Sequence, residues 1–372
     1  MKSRSIIILS ALQLVATAPT HVKWANQAGS VSVKWGAAGF LGEFTIGGQA
    51  VDLLVDTGSC GLWVVGPDAS ECSSQTHCYN PRNAQRVSSS TVSGFRQSYV
   101  DGLKAEGNTV VTDVFGAQKD NGFQIQNQYV EVANNVDGDN GKPLWEDKNG
   151  LVGMCRAGHA NTSPKRLDTL PTTTGNFDYW TSYLKNGDED AWSLCFGCMV
   201  SSSQYDSSSG ATVKAIDDGN WKVSPSRWSV AVTQDGQTDK ISLGNSGDIL
   251  LDTGTTLTSL NSDSVRAIAH AYGGSCNGNE CEYPCYVHDD NHADGSATNQ
   301  DVKVTLPWGD GGIPFAPEAF WRGGYSCHNS DCTCSLGLKM RDEGYTYGSA
   351  VYKSGYFKWD VRNAEITVFR YN

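Results

Sequence analysis

Residues 51–65 read VDLLVDTGSCGLWVV. Two apolar runs, LLV and LWVV, flank a short polar turn, a pattern that predicts two buried strands joined by a tight bend. Asp56 closes the first run, where the backbone is expected to be buried. A carboxylate there is costly unless it is hydrogen-bonded or keeps its proton. Residues 249–260, ILLDTGTTLTSL, repeat the arrangement of apolar run, Asp-Thr-Gly, hydroxyl residue and second apolar run. Asp252 follows Asp56 by 196 residues. One Asp-Thr-Gly carries little weight, but two in matching strand contexts, one in each half of the chain, point to a duplicated unit.

If the halves pack about an approximate two-fold axis, the two turns meet. Two carboxyls in contact cannot both ionise cheaply, so they share a proton; one can then act as a base toward water while the other, as an acid, polarises a carbonyl. That arrangement supplies the compensation Asp56 needs. Gly58 and Gly254 let the backbone turn tightly and aim amide hydrogens at the carboxylates. The hydroxyls of Ser59 and Thr255 can donate to the outer carboxylate oxygens, and Thr57 and Thr253 can brace one loop against the other. The competing reading, two Asx-type turns between buried strands, explains neither the duplication nor the buried acids.

At 372 residues the chain exceeds the size at which one core usually keeps growing, so two domains are expected. Gly, Ser, Thr, Tyr and Trp are plentiful, and long helical patterns are scarce, which favours β structure. Short apolar or alternating runs recur throughout: GEFTIGG, TVVTDVF, WSLCFG, WSVAV, VKVTLPW and AEITVF. Only residues 262–274, SDSVRAIAHAYGG, read clearly as helix, with Val265, Ile268, Ala269 and Tyr272 on one face and a glycine stop. The fold is mainly β. Residues 201–210, SSSQYDSSSG, read as an exposed loop near the junction of the halves.

A net charge of −12 argues against nucleic acid as the main partner and fits a chain that stays soluble, including in acid. The first residues combine Lys2 and Arg4 with an apolar stretch and an Ala-x-Ala ending at Ala18, the layout of a signal peptide. No later segment approaches the ~20 apolar residues of a spanning helix, so a soluble secreted protein is expected, with a vacuolar or lysosome-like compartment as the alternative. Twelve cysteines in a secreted chain are expected to form disulfides. Cys72 to Cys78 is the best local pair; Cys285 and Cys327 are further candidates with no partners assigned. Cys195 and Cys198 form a C-x-x-C whose structural role outweighs a metal or redox one, because no second pair completes a zinc site. In residues 289–301, Asp290, Asp294, Gly295 and Asp301 fall near calcium-loop spacing, but His292 takes a ligand position and no helices flank the segment, so a solvated loop is the better reading. Asn161 begins an N-glycosylation acceptor triplet, Asn161-Thr162-Ser163.

On these residues the chain resembles the pepsin-like aspartic proteases. The likeness runs through FLGEFTIGGQAVDLLVDTGSCGLWVV, CSSQTHCYNPRNAQRVSSSTV and SYVDGLKAEGNTVVTDVF, and continues through NGLVGM, ILLDTGTTLTSL, GGIPFAPEAF and YGSAVYKSGYFKWDVRNAEITVF. It implies a bilobal fold of two β-rich domains related by an approximate two-fold axis, with the active-site cleft between them. The expected layout is signal peptide 1–18, a short pro-like or N-terminal segment 19–38, an N-terminal lobe 39–205 with Asp56 and the flap, and a C-terminal lobe 206–372 with Asp252. The segment 19–38 has no room for the long basic propeptide of pepsin-type zymogens.

Carried over by position, Asp56 and Asp252 match the catalytic pair, Tyr99 the tyrosine of the flap that closes over substrate, and Trp63 the tryptophan that hydrogen-bonds it. The sequence supports a hairpin there independently, with Asp101-Gly102 at its bend. Ordinary aromatic packing is the bland reading of Tyr99 and Trp63. Three positions depart from the family: Gly48 stands where proline is usual, Asn149 replaces an aspartate, and residues 346–349, TYGS, replace an apolar pair followed by Gly-Asp.

The function implied is a secreted endopeptidase, a monomer acting on extended polypeptides at acid pH, inhibited by pepstatin-type compounds and needing no metal or organic cofactor. A non-catalytic binding or inhibitor protein on the same fold is the alternative, which loss of an aspartate or of its hydroxyl partner would favour; both are present. GNSGD, residues 244–248, faintly resembles a serine-protease motif, but no histidine motif accompanies it, and neither G-x-S-x-G nor H-E-x-x-H occurs.

Overall fold

The computed structural model describes residues 29–372 except 37–38, 71, 73–77, 84–89, 100–101, 118–122, 138–148, 157–176, 185–191, 217–218, 226–227, 245–246, 288–292, 310, 316, 321–324 and 329–330. The expected signal peptide, Asp101, Asn161 and His292 lie outside these residues.

The repeat seen in the sequence is a repeat of strand pairing. In the first half, Gly39–Ile46 runs antiparallel to Gln49–Asp56, which runs parallel to Gly150–Gly153; that strand is antiparallel to Leu62–Val65, which is parallel to Gln124–Ala133. In the second half, Lys222–Val223 is antiparallel to Ile249–Leu251, which is parallel to Tyr345–Tyr347; that strand is antiparallel to Thr258–Leu260, which is parallel to Leu338–Met340. The two five-strand orders match, pairing sense for pairing sense. In both, a strand from later in the chain inserts between the two that flank Asp-Thr-Gly. Insertion buries the strands on both faces, which is why they read as continuous apolar runs and not as alternations. The last four residues of Gln49–Asp56 and all of Leu62–Val65 and Gly150–Gly153 are buried.

A 14-stranded sheet joins the first motif to the first and last strands among the described residues. Gly29–Gly36, placed by sequence in a segment ahead of the first lobe, is a strand of this sheet, paired with Trp192–Phe196 and Gly39–Ile46. Tyr179–Leu184 pairs with Tyr356–Asp360, where Trp180 and Trp359 stack at 4.7 Å. The loop expected at 201–210 is instead largely strand: Tyr205–Lys214 pairs with Glu365–Tyr371 across a bulge between Asp206 and Ala211. Its composition conceals it because Tyr205 alone is buried there, while Ser208 and Ser209 hydrogen-bond to Asp206 within the bulge.

The expected helix is present as Ser262–Ala271, capped by the Asn261 side chain, which accepts from Ser264 N at 3.0 Å. Val265, Ile268 and Ala269 are its buried face. A one-turn helix, Pro317–Phe320, was not anticipated. All twelve cysteines are paired: Cys60–Cys155, Cys72–Cys78, Cys195–Cys198, Cys276–Cys281, Cys285–Cys334 and Cys327–Cys332. Cys285 and Cys327 are thus both bonded; strand register supplies the partner of Cys327, which lies opposite Cys332 in an antiparallel pair, whereas Cys334 lies opposite Tyr283 and reaches Cys285 diagonally. No helix among the described residues is long and apolar enough to cross a membrane.

Candidate active site

Each Asp-Thr-Gly stands at the end of the strand that runs parallel to the inserted one, Gln49–Asp56 in the first motif and Ile249–Leu251 in the second, and both turns use the same local bonds. Gly58 N donates to Asp56 Oδ1 at 2.8 Å, and Gly254 N to Asp252 Oδ1 at 2.9 Å. The Ser59 hydroxyl donates to Asp56 Oδ2. On the Asp252 side the corresponding donor is the Thr255 backbone N–H, at 3.2 Å from Oδ1, where the sequence suggested the hydroxyl.

The two carboxyls hydrogen-bond to each other. Both glycines face across the junction: a Cβ on Gly58 would lie 2.5 Å from Asp252 Cγ, and one on Gly254 2.5 Å from Asp56 Oδ1. Asp56 is 5% exposed. Burial pushes the Asp252 carboxyl well above the usual carboxylate range, the charge and hydrogen bond of Asp56 push it further, and the Gly254 and Thr255 amides pull weakly the other way. The pair is therefore suited to holding one proton between two acids.

The threonines of the two turns interlock. Thr57 N donates to Thr253 Oγ1 at 3.0 Å and Thr253 N to Thr57 Oγ1 at 2.9 Å. The hydroxyls pass their own hydrogens across, Thr57 to Leu251 O at 2.8 Å and Thr253 to Val55 O at 2.7 Å. Each threonine side chain thus ties its loop to the strand carrying the other aspartate.

Two residues that the sequence reading did not single out strengthen this floor. Trp221 Nε1 donates to Met154 O at 2.7 Å, while Met154 N donates to Asp56 O and Leu251 N to Trp221 O. Tyr352, fully buried, donates to Tyr347 O at 3.3 Å, the carbonyl that also accepts from Asp252 N, and its hydroxyl reaches Thr57. Cys60–Cys155 ties the loop after Asp56 to the segment following Gly153.

Of the expected flap residues, Tyr99 lines the same cleft as Asp56 and Asp252. Trp63 Nε1 donates to the Tyr99 hydroxyl at 2.8 Å, and that hydroxyl also hydrogen-bonds to Ser59. A polar chain thus runs from Trp63 through Tyr99 and Ser59 to Asp56. The hairpin closes through Tyr99 N to Leu103 O and Gly102 N to Tyr99 O, with Gly102 at φ +90°. A cleft of about 240 Å³ opens between flap and dyad, lined among others by Leu54, Gln97, Tyr99, Leu151, Leu250 and Thr255. Its apolar walls and acidic floor can hold an extended chain with a carbonyl over the carboxyls.

The departures from the family have direct structural readings. The Asn149 side-chain oxygen accepts from Asp52 N at 3.1 Å, bracing the strand that ends at Asp56 through a neutral group. Ser349 N donates to Thr255 O at 2.7 Å, while its buried hydroxyl has no hydrogen-bond partner among the described residues. No cluster of three or more metal-ligating side chains occurs among the described residues.

Comparison with known proteins follows the same lines. The profile of the family described as eukaryotic aspartyl protease matches residues 39–370. Penicillopepsin-1 of Penicillium roqueforti is 26% identical over 364 residues, 93% of this chain and 82% of that protein. An aspergillopepsin A-like aspartic endopeptidase of Arthroderma otae is 29% identical over 237 residues, 61% of this chain. That alignment spans about half the length of the relative, 51%. In fold, the chain is similar to the crystal structure of an aspartic proteinase from Irpex lacteus, with a TM-score of 0.62 over 93% of this chain and 98% of that one at 18% identity. The architecture is the bilobal β fold expected from the sequence.

Proposed function

The chain belongs to the eukaryotic aspartyl protease family, and from that premise we propose that it is a secreted aspartic endopeptidase that hydrolyses peptide bonds at acid pH. The single observation that carries this reading is the hydrogen-bonded pair Asp56 and Asp252 on the floor of a cleft, each held by the same turn.

The reaction follows from their unequal surroundings. Asp252 is the member whose carboxyl is pushed toward its protonated form, whereas Asp56 accepts from both Gly58 N and the Ser59 hydroxyl, donors that favour its charge. A water between them loses a proton to Asp56 as its oxygen attacks the peptide carbonyl carbon, and Asp252 gives its proton to the carbonyl oxygen. The tetrahedral diol collapses when a diol hydroxyl returns its proton to Asp252 and Asp56 protonates the departing nitrogen. The C–N bond breaks and the dyad is left with its single proton. Tyr99, anchored by Trp63, covers the reacting bond and excludes bulk water. The substrate is an extended polypeptide, with apolar side chains seated against Leu54, Leu151 and Leu250.

The test is digestion of acid-denatured globin at pH 3 to 5 by wild type and Asp252→Asn, with and without pepstatin. Cleavage by wild type that both the inhibitor and the substitution abolish is expected. Activity untouched by either would defeat the reading. Recovery of the protein from culture medium, with its N-terminus beyond residue 18, tests secretion.

A further inference from the structure

Beneath the flap lies a buried acid for which the reaction has no use. We infer that Glu131 is a positioning residue for the flap: while neutral it holds Gln97 and Tyr99 over the dyad, and on ionising it releases them, setting the upper pH limit of the cleft. The inference rests on the endopeptidase reading for its kinetic part only.

Glu131 lies on the strand Gln124–Ala133 and is 4% exposed. Its register partners are Trp63 on one side and Val110 on the other. The Gln97 amide donates to Glu131 Oε2 at 3.0 Å, and Gln97 lines the cleft together with Tyr99. The carboxyl therefore touches the flap strand through Gln97, while its neighbour Trp63 holds the Tyr99 hydroxyl.

The groups facing it bring one neutral donor and no positive charge. From the flap strand come the neutral Gln97 amide and Tyr99, whose hydroxyl responds to charge on both Asp56 and Glu131. From Lys104–Gly116 comes Val110, and from Leu62–Val65 the indole of Trp63. The hairpin's charged residues are engaged elsewhere or exposed: Arg96 pairs with Glu106 at 2.9 Å, and Lys104 points to solvent. No lysine or arginine among the described residues forms an ion pair with Glu131. Burial raises its carboxyl to about 7, with the Gln97 hydrogen bond opposing the rise. Below that pH a neutral acid sits between its buried register partners Trp63 and Val110. Above it the carboxylate has the single Gln97 donor against the cost of its buried charge; burial outweighs that bond, and the available relief is for Gln97 and the hairpin to move aside and admit water.

The experiment is the pH profile of kcat/KM from pH 3 to 8 on a quenched fluorescent peptide for wild type, Glu131→Gln and Glu131→Ala. In Glu131→Gln, which is permanently neutral, the activity at pH 7.5 relative to pH 4 should exceed the wild-type ratio by about fourfold, the factor for removing one ionisation near pH 7. Glu131→Ala, which takes away the Gln97 acceptor, should raise KM more than it lowers kcat. A ratio unchanged in Glu131→Gln, or an unchanged KM in Glu131→Ala, would overturn the inference. A second measurement needs no activity: in wild type labelled with 13C at the glutamate carboxyl, one resonance should titrate near pH 7, and it should be missing from Glu131→Gln. If wild type cleaves nothing, the endopeptidase reading fails while the titration still decides whether Glu131 is a buried acid. If all glutamates titrate near their ordinary value, the inference fails even in an active enzyme.

Discussion

Thr57 and Thr253 are each donor and acceptor to the other's loop: two backbone N–H groups meet two side-chain oxygens at 3.0 and 2.9 Å, both residues buried. The aspartates inherit their separation from this lock. Thr253→Val keeps the volume but leaves Thr57 N and Val55 O buried without those partners. Each orphaned group costs about 1–3 kcal/mol, so for the two of them urea unfolding at pH 4 should show a loss of roughly 2–6 kcal/mol. The turnover number should fall as well, because the dyad loses its spacing.

Gly58 and Gly254 test the dyad without touching its chemistry. With only 2.5 Å between a new Cβ and the opposite aspartate, alanine at either position must push the carboxyls apart. Misplacement of reacting groups by about 1 Å can cost on the order of 100-fold, so kcat should drop at least that far in Gly58→Ala and in Gly254→Ala. Near-UV circular dichroism should stay close to wild type. Full activity in either variant would mean that the shared proton is not needed.

Tyr99→Phe removes one hydroxyl from the chain linking Trp63 to Ser59 and Asp56. The Trp63 N–H loses a buried partner worth about 1–3 kcal/mol. If flap closure bears that cost, kcat/KM falls by roughly 5- to 150-fold. Thermal unfolding should change little, since the aromatic ring keeps its packing. Steady-state kinetics on a peptide of six or more residues would measure the effect.

The part of this architecture that depends on residue identity was legible in the sequence. An Asp-Thr-Gly turn needs its acid, its hydroxyl and its glycine for separate reasons, so a second copy announces the site, and apolar runs announce the strands around it. The parts that depend on register were not legible. Cys60 finds Cys155 because Gly150–Gly153 inserts between the strands on either side of Asp56, and nothing in the spacing of the two cysteines says so. Tyr205–Lys214 is a strand that buries little, so its serines disguise it. Glu131 hides for the opposite reason. Val130, Val132 and Ala133 around it are buried, and without alternation the sequence gives no sign of which way the carboxyl points.

Stability should depend on pH in the sense opposite to that of most acid-sensitive proteins. Glu131 is raised from 4.5 to about 7 by burial, and Asp252 is raised by burial and by Asp56. Between these ordinary and folded values the native protein keeps protons that the unfolded chain has released. Unfolding then sheds protons, so stability is fully present below about pH 4 and falls as pH rises through the folded pKa. For Glu131 alone the shift corresponds to about 3 kcal/mol. The urea midpoint of wild type should therefore be higher at pH 4 than at pH 7.5, and Glu131→Gln should lose about 3 kcal/mol less between the two. Asp252→Asn should flatten the same curve independently, because its carboxyl lies in the dyad and Glu131 lies under the hairpin. A Glu131→Gln curve as steep as that of wild type would mean that Glu131 is ionised in the folded protein, and an Asp252→Asn curve as steep would mean the same of Asp252, with the shared proton lost.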